Sequence, residues 1–279
     1  MTCIVVVNTY NKAAENLYAG IAEFLTENGH TVVRSDFSGA DVPFPADTYD
    51  CAVTLGGDGT VLYAARRCAA SGKPVVPIDL GEFGFIAGIQ PENWRSALSG
   101  FFAGRMSFAK RSLVRADIVR GGKTVYSGCA LNDAVLSASQ ASKTVEVDIR
   151  TEHAAFGKFK ADALIVSTST GSTAYSAAAG GPIVDPGLDV LILNTVSAFS
   201  LSNRPLVLPA DTQLTVTVLP PRGYDLMLNC DGQVHTPIKA GDRILIKMAE
   251  YAVSLAGCDS SVFYAALRSK LNWSGGPRA

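Results

Sequence analysis

The sequence predicts an α/β domain with a parallel, Rossmann-like sheet, then a β-rich, β-sandwich-like domain, then a C-terminal helix. Three observations predict it. Strand and helix signals alternate over the first hundred residues, the order that builds a parallel sheet covered by helices. From about Phe108 to Ala256 the signals are mostly strands broken by turn residues. Helical periodicity returns after Ser260. The expected boundaries are 1–108, 109–256 and 257–279, with the last segment packing back on the first domain. A chain of 279 residues with 48% hydrophobic and 18% charged residues has the apolar mass for two cores.

Element by element, residues 3–8 read as a buried strand. Residues 12–28 read as a helix, with Leu17, Ile21, Phe24 and Leu25 on one face and Gly29 as its stop. Strands follow at 31–34 and 51–55, the latter ending at a Gly-Gly pair. A helix begins near Thr60, carries Val61, Leu62, Ala65 and Cys68, and ends at Gly72; residues 74–80 form the next strand. Beyond Phe108, strands are expected at 113–119, 125–136, 144–150, 163–167, 190–193, 206–207, 213–218, 226–230, 243–249 and 251–256. Residues 260–273 close the chain as a helix with Val262, Leu267, Leu271 and Trp273 as its apolar stripe, followed by a frayed tail at 274–279.

The formal net charge of −1 gives no bulk attraction to nucleic acid or anionic lipid, so phosphate binding has to come from a local site. The six cysteines form no C-x-x-C pair and do not cluster with His30, His153 or His235, which reads as reduced, mostly buried thiols. The apolar run Cys3–Val7 is cut short at Asn8 and has no basic flank, so it reads as a strand and not as a leader. No apolar run approaches the ~20 residues that span a bilayer. A cytoplasmic protein with no nucleic-acid or membrane partner is expected.

Four motifs carry the chemistry. Leu55-Gly56-Gly57-Asp58-Gly59-Thr60 lies at the C-terminal end of a predicted parallel strand and opens a helix. Ligands bind at such strand ends, glycines admit an anion to the backbone, and the helix N-terminus favours phosphate. Asp58 would repel that anion unless it holds a metal or takes a proton; the plainer reading is a helix cap or turn aspartate. Asp79-Leu80-Gly81-Glu82-Phe83-Gly84-Phe85 follows the next strand and should lie beside the first loop. Phe85 reads either as a cover for a ligand or as an ordinary core residue. Leu131-Asn132-Asp133 sits inside an otherwise apolar strand, where a polar pair needs partners, either ligand hydroxyls or an internal network. The richest block runs from Asp162 through Ser167-Thr168-Ser169-Thr170-Gly171-Ser172-Thr173-Ala174-Tyr175-Ser176 to Gly180-Gly181-Pro182-Ile183. A strand runs into a turn dense in hydroxyls and small residues, then an Ala-rich helix, a surface suited to a flat base and a ribose. The alternative is a turn whose hydroxyls cap the helix.

Together these motifs resemble the NAD kinase (ATP-NAD kinase) family, over nearly the whole chain from Cys3 to Trp273. The Gly-Gly-Asp-Gly-Thr loop is shared with lipid kinases and 6-phosphofructokinases; the Thr-Gly-Ser-Thr-Ala-Tyr-Ser block followed by Gly-Gly-Pro-Ile, downstream of Asn-Asp, is what sets this family apart. The resemblance implies phosphorylation of the 2′-hydroxyl of the adenosine ribose of NAD to give NADP. It implies ATP as donor, inorganic polyphosphate for some members, a divalent metal cation such as Mg2+, and homodimers or homotetramers. It also assigns roles: Asp58 as proton acceptor with Gly59 beside it, and Gly56, Gly57, Gly59 and Thr60 as the phosphate-donor loop. Asn132 and Asp133 match a pair that contacts the dinucleotide, Lys143 and Lys160 fall at basic or polar contact positions, and Asp162 matches an acidic residue at the nicotinamide end. Thr173, Ala174, Tyr175, Ser176, Ala177 and Ala178 match the segment around the adenosine, and Gln233 in Cys230-Asp231-Gly232-Gln233 matches a further contact. The chain departs from the pattern at Ser169, Ala161, Ala198-Phe199 and Glu82-Phe83.

Three other readings are weaker. A lipid kinase shares the first loop but lacks the Thr173-Ala174-Tyr175 block. A non-catalytic dinucleotide sensor has no use for Asp58 among phosphates. A dehydrogenase needs Gly-x-Gly-x-x-Gly after the first strand, where Asn8, Thr9, Tyr10 and Asn11 stand instead.

Overall fold

The computed structural model describes residues 1–81, 84–140, 142–200, 202–220 and 223–273. Glu82, Phe83 and the tail at 274–279 lie outside the described residues. The chain divides into two compact units, Met1–Arg111 with Tyr251–Ala279, and Ser112–Glu250.

The first unit opens with β1 (Thr2–Asn8), α1 (Lys12–Glu27), β2 (Thr31–Phe37), β3 (Cys51–Gly56), α2 (Asp58–Ala70), β4 (Val75–Asp79) and α3 (Trp94–Phe102). The strands lie in the order β2-β1-β3-β4 and every pair is parallel. Cys3, Ile4, Val5, Val6 and Val7 of β1 are all buried, the continuous apolar run of a strand covered on both faces. Helix α1 starts where Asn11 accepts the Ala13 N–H at 2.9 Å, and it buries Ala14, Ile21, Phe24 and Leu25, one stripe at helical spacing. Helix α3, which the sequence reading did not assign, adds Leu98 to the same core and sets Trp94 edge-on to Phe24.

β5 (Phe108–Arg120) carries the chain into the second unit. There follow β6 (Lys123–Ala130), β7 (Asp133–Ala138), β8 (Val145–Arg150), β9 (Ala155–Ala161), β10 (Ala163–Thr168), α4 (Tyr175–Ala178), β11 (Val190–Val196), β12 (Leu206–Pro209), β13 (Leu214–Val218), β14 (Leu226–Cys230) and β15 (Val234–Ile238). β16 (Arg243–Ala256) leads back to the first unit, which ends in α5 (Ser260–Lys270). One antiparallel sheet of the second unit has the order β12-β11-β10-β7-β14-β15. The other pairs β16, β13, β8 and β9 antiparallel, with the β5–β6 hairpin alongside. Alternate residues, such as Val145, Val147 and Ile149 of β8 and Leu214, Val216 and Val218 of β13, point into a shared core with Leu136, Leu164, Leu191 and Leu228. The β-sandwich-like expectation rests on this alternation, and the alternation is what packs the two sheets.

Three local expectations change. The strand expected over 125–136 is broken: β6 stops at Ala130 and β7 starts at Asp133, because a distant carboxylate takes the amides of residues 131–133. The strands expected at 243–249 and 251–256 are one, β16. The Ala-rich helix after the hydroxyl turn is a single turn, α4, preceded by a 3-10 turn at Thr170–Thr173 and stopped by Gly180 at φ 77°. Among the described residues no helix is long and apolar enough to cross a membrane.

Candidate functional site

In the first unit the two glycine loops meet. Gly56 of β3 pairs with Asp79 of β4, and the Leu80 N–H donates to the Gly56 carbonyl at 3.1 Å. At Gly57 and Gly81 the backbones touch: a Cβ on Gly81 would stand 2.9 Å from the Gly57 Cα, so a side chain there would push the loops apart. This is the adjacency the sequence predicts. Asp58 opens α2 and points its carboxylate into the second loop. Its Oδ2 accepts the Phe85 N–H at 2.7 Å, and its Oδ1 accepts those of Ile86 and Ala87 at 3.2 and 3.4 Å. A Cβ on Gly84 would lie 2.6 Å from Oδ1, so glycine leaves the carboxylate its room. Burial raises the Asp58 pKa above the ordinary carboxylate range, the three amides oppose it, and nearby Asp79 adds to the rise. Asp58 is thus both the turn aspartate of the plainer reading and a carboxylate with heightened proton affinity. Thr60 is buried and its Oγ1 meets no partner among the described residues. Gly59 is exposed and Phe85 is half-buried.

In the second unit a cavity of about 400 Å³ is lined by Asn132, Asp133, Ala174, Tyr175, Asn229, Asp231 and His235, with Val135, Ser137 and Gly232. The gap between β6 and β7 builds one wall. There Asp231 accepts the N–H groups of Leu131, Asn132 and Asp133 at 3.0, 2.7 and 3.4 Å. The hydroxyl turn locks the same segment from the carbonyl side. Thr168 donates its Oγ1–H to the Leu131 carbonyl at 2.6 Å, and Ser167 donates its own to the Asn132 carbonyl at 3.0 Å. Ser172 is tied to Val184, so much of the hydroxyl density serves the backbone.

With the backbone of Asn132 satisfied, its Oδ1 is buried and meets no partner among the described residues. Asp133 is 5% exposed, and burial, with the charge of Asp231 behind it, pushes its pKa up to about 7. Tyr175, at the start of α4, is 43% exposed and presents its ring at the cavity edge.

The remaining expected residues are spread over the second unit. Thr173, Ala174 and Ala177 are half-buried and Ala178 is exposed, whereas Ser176 is buried and accepts Asn194 Nδ2–H at its carbonyl. Lys143 and Lys160 line a different cavity, of about 240 Å³, with Glu146 and Tyr224; Lys160 pairs with Glu146 at 2.9 Å. Asp162 is exposed at the turn into β10, its N–H donating to the Val196 carbonyl. Gln233 is half-buried in the turn between β14 and β15.

Sequence reasoning missed Asp231, Asn229, Ser137 and His235. A signal existed for two of them: an Asn inside the apolar Leu226–Cys230 strand, and an Asp-Gly pair at a hairpin end, a turn pairing with φ of 53° at Asp231 and 62° at Gly232. Among the described residues no group of three or more His, Cys, Asp or Glu is arranged to hold a metal ion, and both Asp58 oxygens already face amides. The described residues therefore do not fit a resident metal cage.

Family models described as ATP-NAD kinase N-terminal domain and ATP-NAD kinase C-terminal domain match residues 42–106 and 131–257. A protein of Treponema denticola named NAD kinase is 44% identical over 273 residues, 98% of this chain and 96% of its own. One of Treponema pallidum with the same name is 40% identical, covering 98% of this chain and 90% of its own. The crystal structure of yeast NADH kinase complexed with NADH superposes with a TM-score of 0.87 at 19% identity, over 100% of this chain and 89% of that one. The crystal structure of an NAD kinase from Archaeoglobus fulgidus in complex with ATP gives 0.77 at 22% identity, over 96% and 99%. At these identities the two structures speak for the fold.

Proposed function

The chain belongs to the ATP-NAD kinase family, and from that premise we propose that it transfers the terminal phosphoryl group of ATP to the 2′-hydroxyl of the adenosine ribose of NAD, giving NADP. One observation carries the reading at the residue level. A cavity large enough for a nucleoside brings together an exposed aromatic ring, a buried amide oxygen without a partner among the described residues, and a carboxyl poised between its two protonation states.

In this reading the Tyr175 ring stacks on a base, while Asn132 and Asp133 bond the hydroxyls and ring nitrogens of the nucleoside. Thr173, Ala174, Ala177 and Ala178 line the approach, and Asp162 and Gln233 extend the contacts on the same unit. Phosphoryl transfer depends chiefly on positioning and charge stabilisation. The amides of Gly56, Gly57, Gly59 and Thr60, at the strand end and the start of α2, are suited to the donor phosphates. We assign Asp58 to accept the hydroxyl proton, because burial holds its proton affinity above that of an ordinary carboxylate. A divalent cation such as Mg2+, arriving with the nucleotide as part of the substrate, would neutralise charge on the donor phosphates. Homo-oligomeric assembly and a cytoplasmic setting belong to the same proposal, and family membership is what supports them.

The test is NADP formation by purified protein from NAD, with ATP, another nucleoside triphosphate or polyphosphate as donor and each divalent cation in turn. NADP with ATP and a cation is expected. A folded protein that makes no NADP from any donor refutes the reading.

A further inference from the structure

We propose that Asp231 is a positioning residue for the dinucleotide, holding the Leu131–Asp133 backbone so that Asn132 and Asp133 line the cavity. The proposal rests on the reading of that cavity as the NAD site.

The geometry is that of a clamp. Asp231 stands at φ 53°, in the left-handed region that non-glycine residues other than Asn and Asp seldom occupy, at the tip between β14 and β15. It is 8% exposed, and its carboxylate takes three successive backbone amides from a turn about 100 residues earlier in the chain. Its own N–H donates to the Asp133 carbonyl at 3.0 Å, closing the ring of bonds. Bonds from amides to a charged acceptor are roughly twice as strong as neutral ones. They hold the break between β6 and β7 at the one point where a continuous strand would turn Asn132 into a ladder residue and shift Asp133, the first residue of β7. Without the clamp the amides of residues 131–133 are free to pair in a ladder, and the side chains lose the address that the site needs.

The clamp also acts through charge. The groups that face Asp133 around the cavity are Asp231, His235 and Tyr175, and of these Asp231 is the one whose charge adds to burial in raising the Asp133 pKa. Removing that charge moves the Asp133 titration toward acid, while burial keeps it above the ordinary range.

The experiment is Asp231→Asn, nearly isosteric and tolerant of the same backbone conformation, in the full chain. Steady-state kinetics with NAD and ATP varied separately is expected to show KM for NAD raised about tenfold or more, the equivalent of losing one charge-assisted bond, with KM for ATP within about twofold. The pH profile of kcat/KM for NAD, with a wild-type midpoint near 7, moves toward acid. A merely structural residue would lower activity without moving that midpoint. Unchanged KM for NAD in a folded variant overturns the proposal, and so does a raised KM with the midpoint in place. If the Asn variant does not fold, Asp231→Ser, which keeps an uncharged acceptor, is put through the same two measurements, and the same two results overturn the proposal. Calorimetry of NAD with Tyr175→Ala separates this proposal from the reading beneath it. Unchanged NAD affinity in Tyr175→Ala sinks the site; weakened affinity there beside an unaffected Asp231→Asn sinks only the clamp.

Discussion

Asp133→Asn is expected to make the protein more stable and worse at binding NAD, with the stability gain growing as pH rises from about 4 and full above about 7. In the folded chain the Asp133 carboxyl titrates at about 7, against an ordinary value of 3.8. The native state therefore keeps its proton up to about pH 7, while the unfolded chain gives it up near 4. Between those values folding takes up a proton, so stability falls as pH rises through the window and the full penalty stands above it. A gap of about three pH units at 1.36 kcal/mol each sets a ceiling of ~4 kcal/mol on that penalty. Asn has nearly the same shape and no charge, so it escapes the penalty. Urea unfolding of the ligand-free protein should give the variant a gain approaching ~4 kcal/mol at about pH 8.5, less than half of that at about pH 5, and little at pH 4. NAD affinity, by calorimetry at the higher pH, should fall by about tenfold or more, in line with ~1–3 kcal/mol for a buried polar contact. A variant no more stable than wild type at high pH, or one whose gain is the same at every pH, refutes the assignment of Asp133 as an uncompensated buried acid.

Asp58→Asn should lower turnover by about 10²–10⁴-fold, the usual worth of general base catalysis, in a single-turnover phosphoryl-transfer assay; wild-type-like turnover removes Asp58 from the role. Tyr175→Ala should weaken NAD binding by about 1–3 kcal/mol, the worth of an aromatic stacking platform, read by calorimetry. Gly84→Ala puts a Cβ 2.6 Å from Asp58 Oδ1, so the carboxylate or the loop has to move. A loss of about 1–3 kcal/mol in thermal unfolding, together with reduced turnover, is expected from such overpacking; an unchanged melting temperature would show that the loop yields freely.

What the sequence made legible follows from how far apart the cooperating residues lie. The parallel sheet was readable because each β-α-β step is local and β1 is a continuous apolar run. The meeting of the two glycine loops was readable too, because adjacent parallel strands end at the same sheet edge. Asn132-Asp133 stood out because a polar pair in an apolar stretch needs partners. The break in the strand at that point was not readable, since the carboxylate that causes it lies 100 residues away from Leu131. Which hydroxyls of the dense block serve the backbone was not readable either. Seen alone the block offers a ligand many bonds, but the Ser167 and Thr168 hydroxyls donate to the Asn132 and Leu131 carbonyls at the break. Lys143 and Lys160 carry no local signal of their surroundings, and their place with Glu146 depends on the β8–β9 register, in which Glu146 stands opposite Lys160.

Asp58 and Asp231 turn out to be the same device, used once in each unit. Each is an aspartate at the edge of a secondary-structure element, and each spends its carboxylate on three successive backbone N–H groups of a loop distant in sequence. Three amide dipoles go far toward compensating a buried negative charge. Asp133, beside Asp231, has no such cluster of amides among the described residues and is the one whose pKa reaches neutrality. This difference bears on how an Asp58 variant is read. Asp58→Asn replaces an acceptor with a donor facing the amides of residues 85–87, so its activity loss mixes a missing base with a displaced loop. The pH–rate profile separates the two. If Asp58 is the base, the acid limb of wild-type turnover reports its titration and vanishes in the variant, whereas a displaced loop lowers the whole curve and leaves that limb in place.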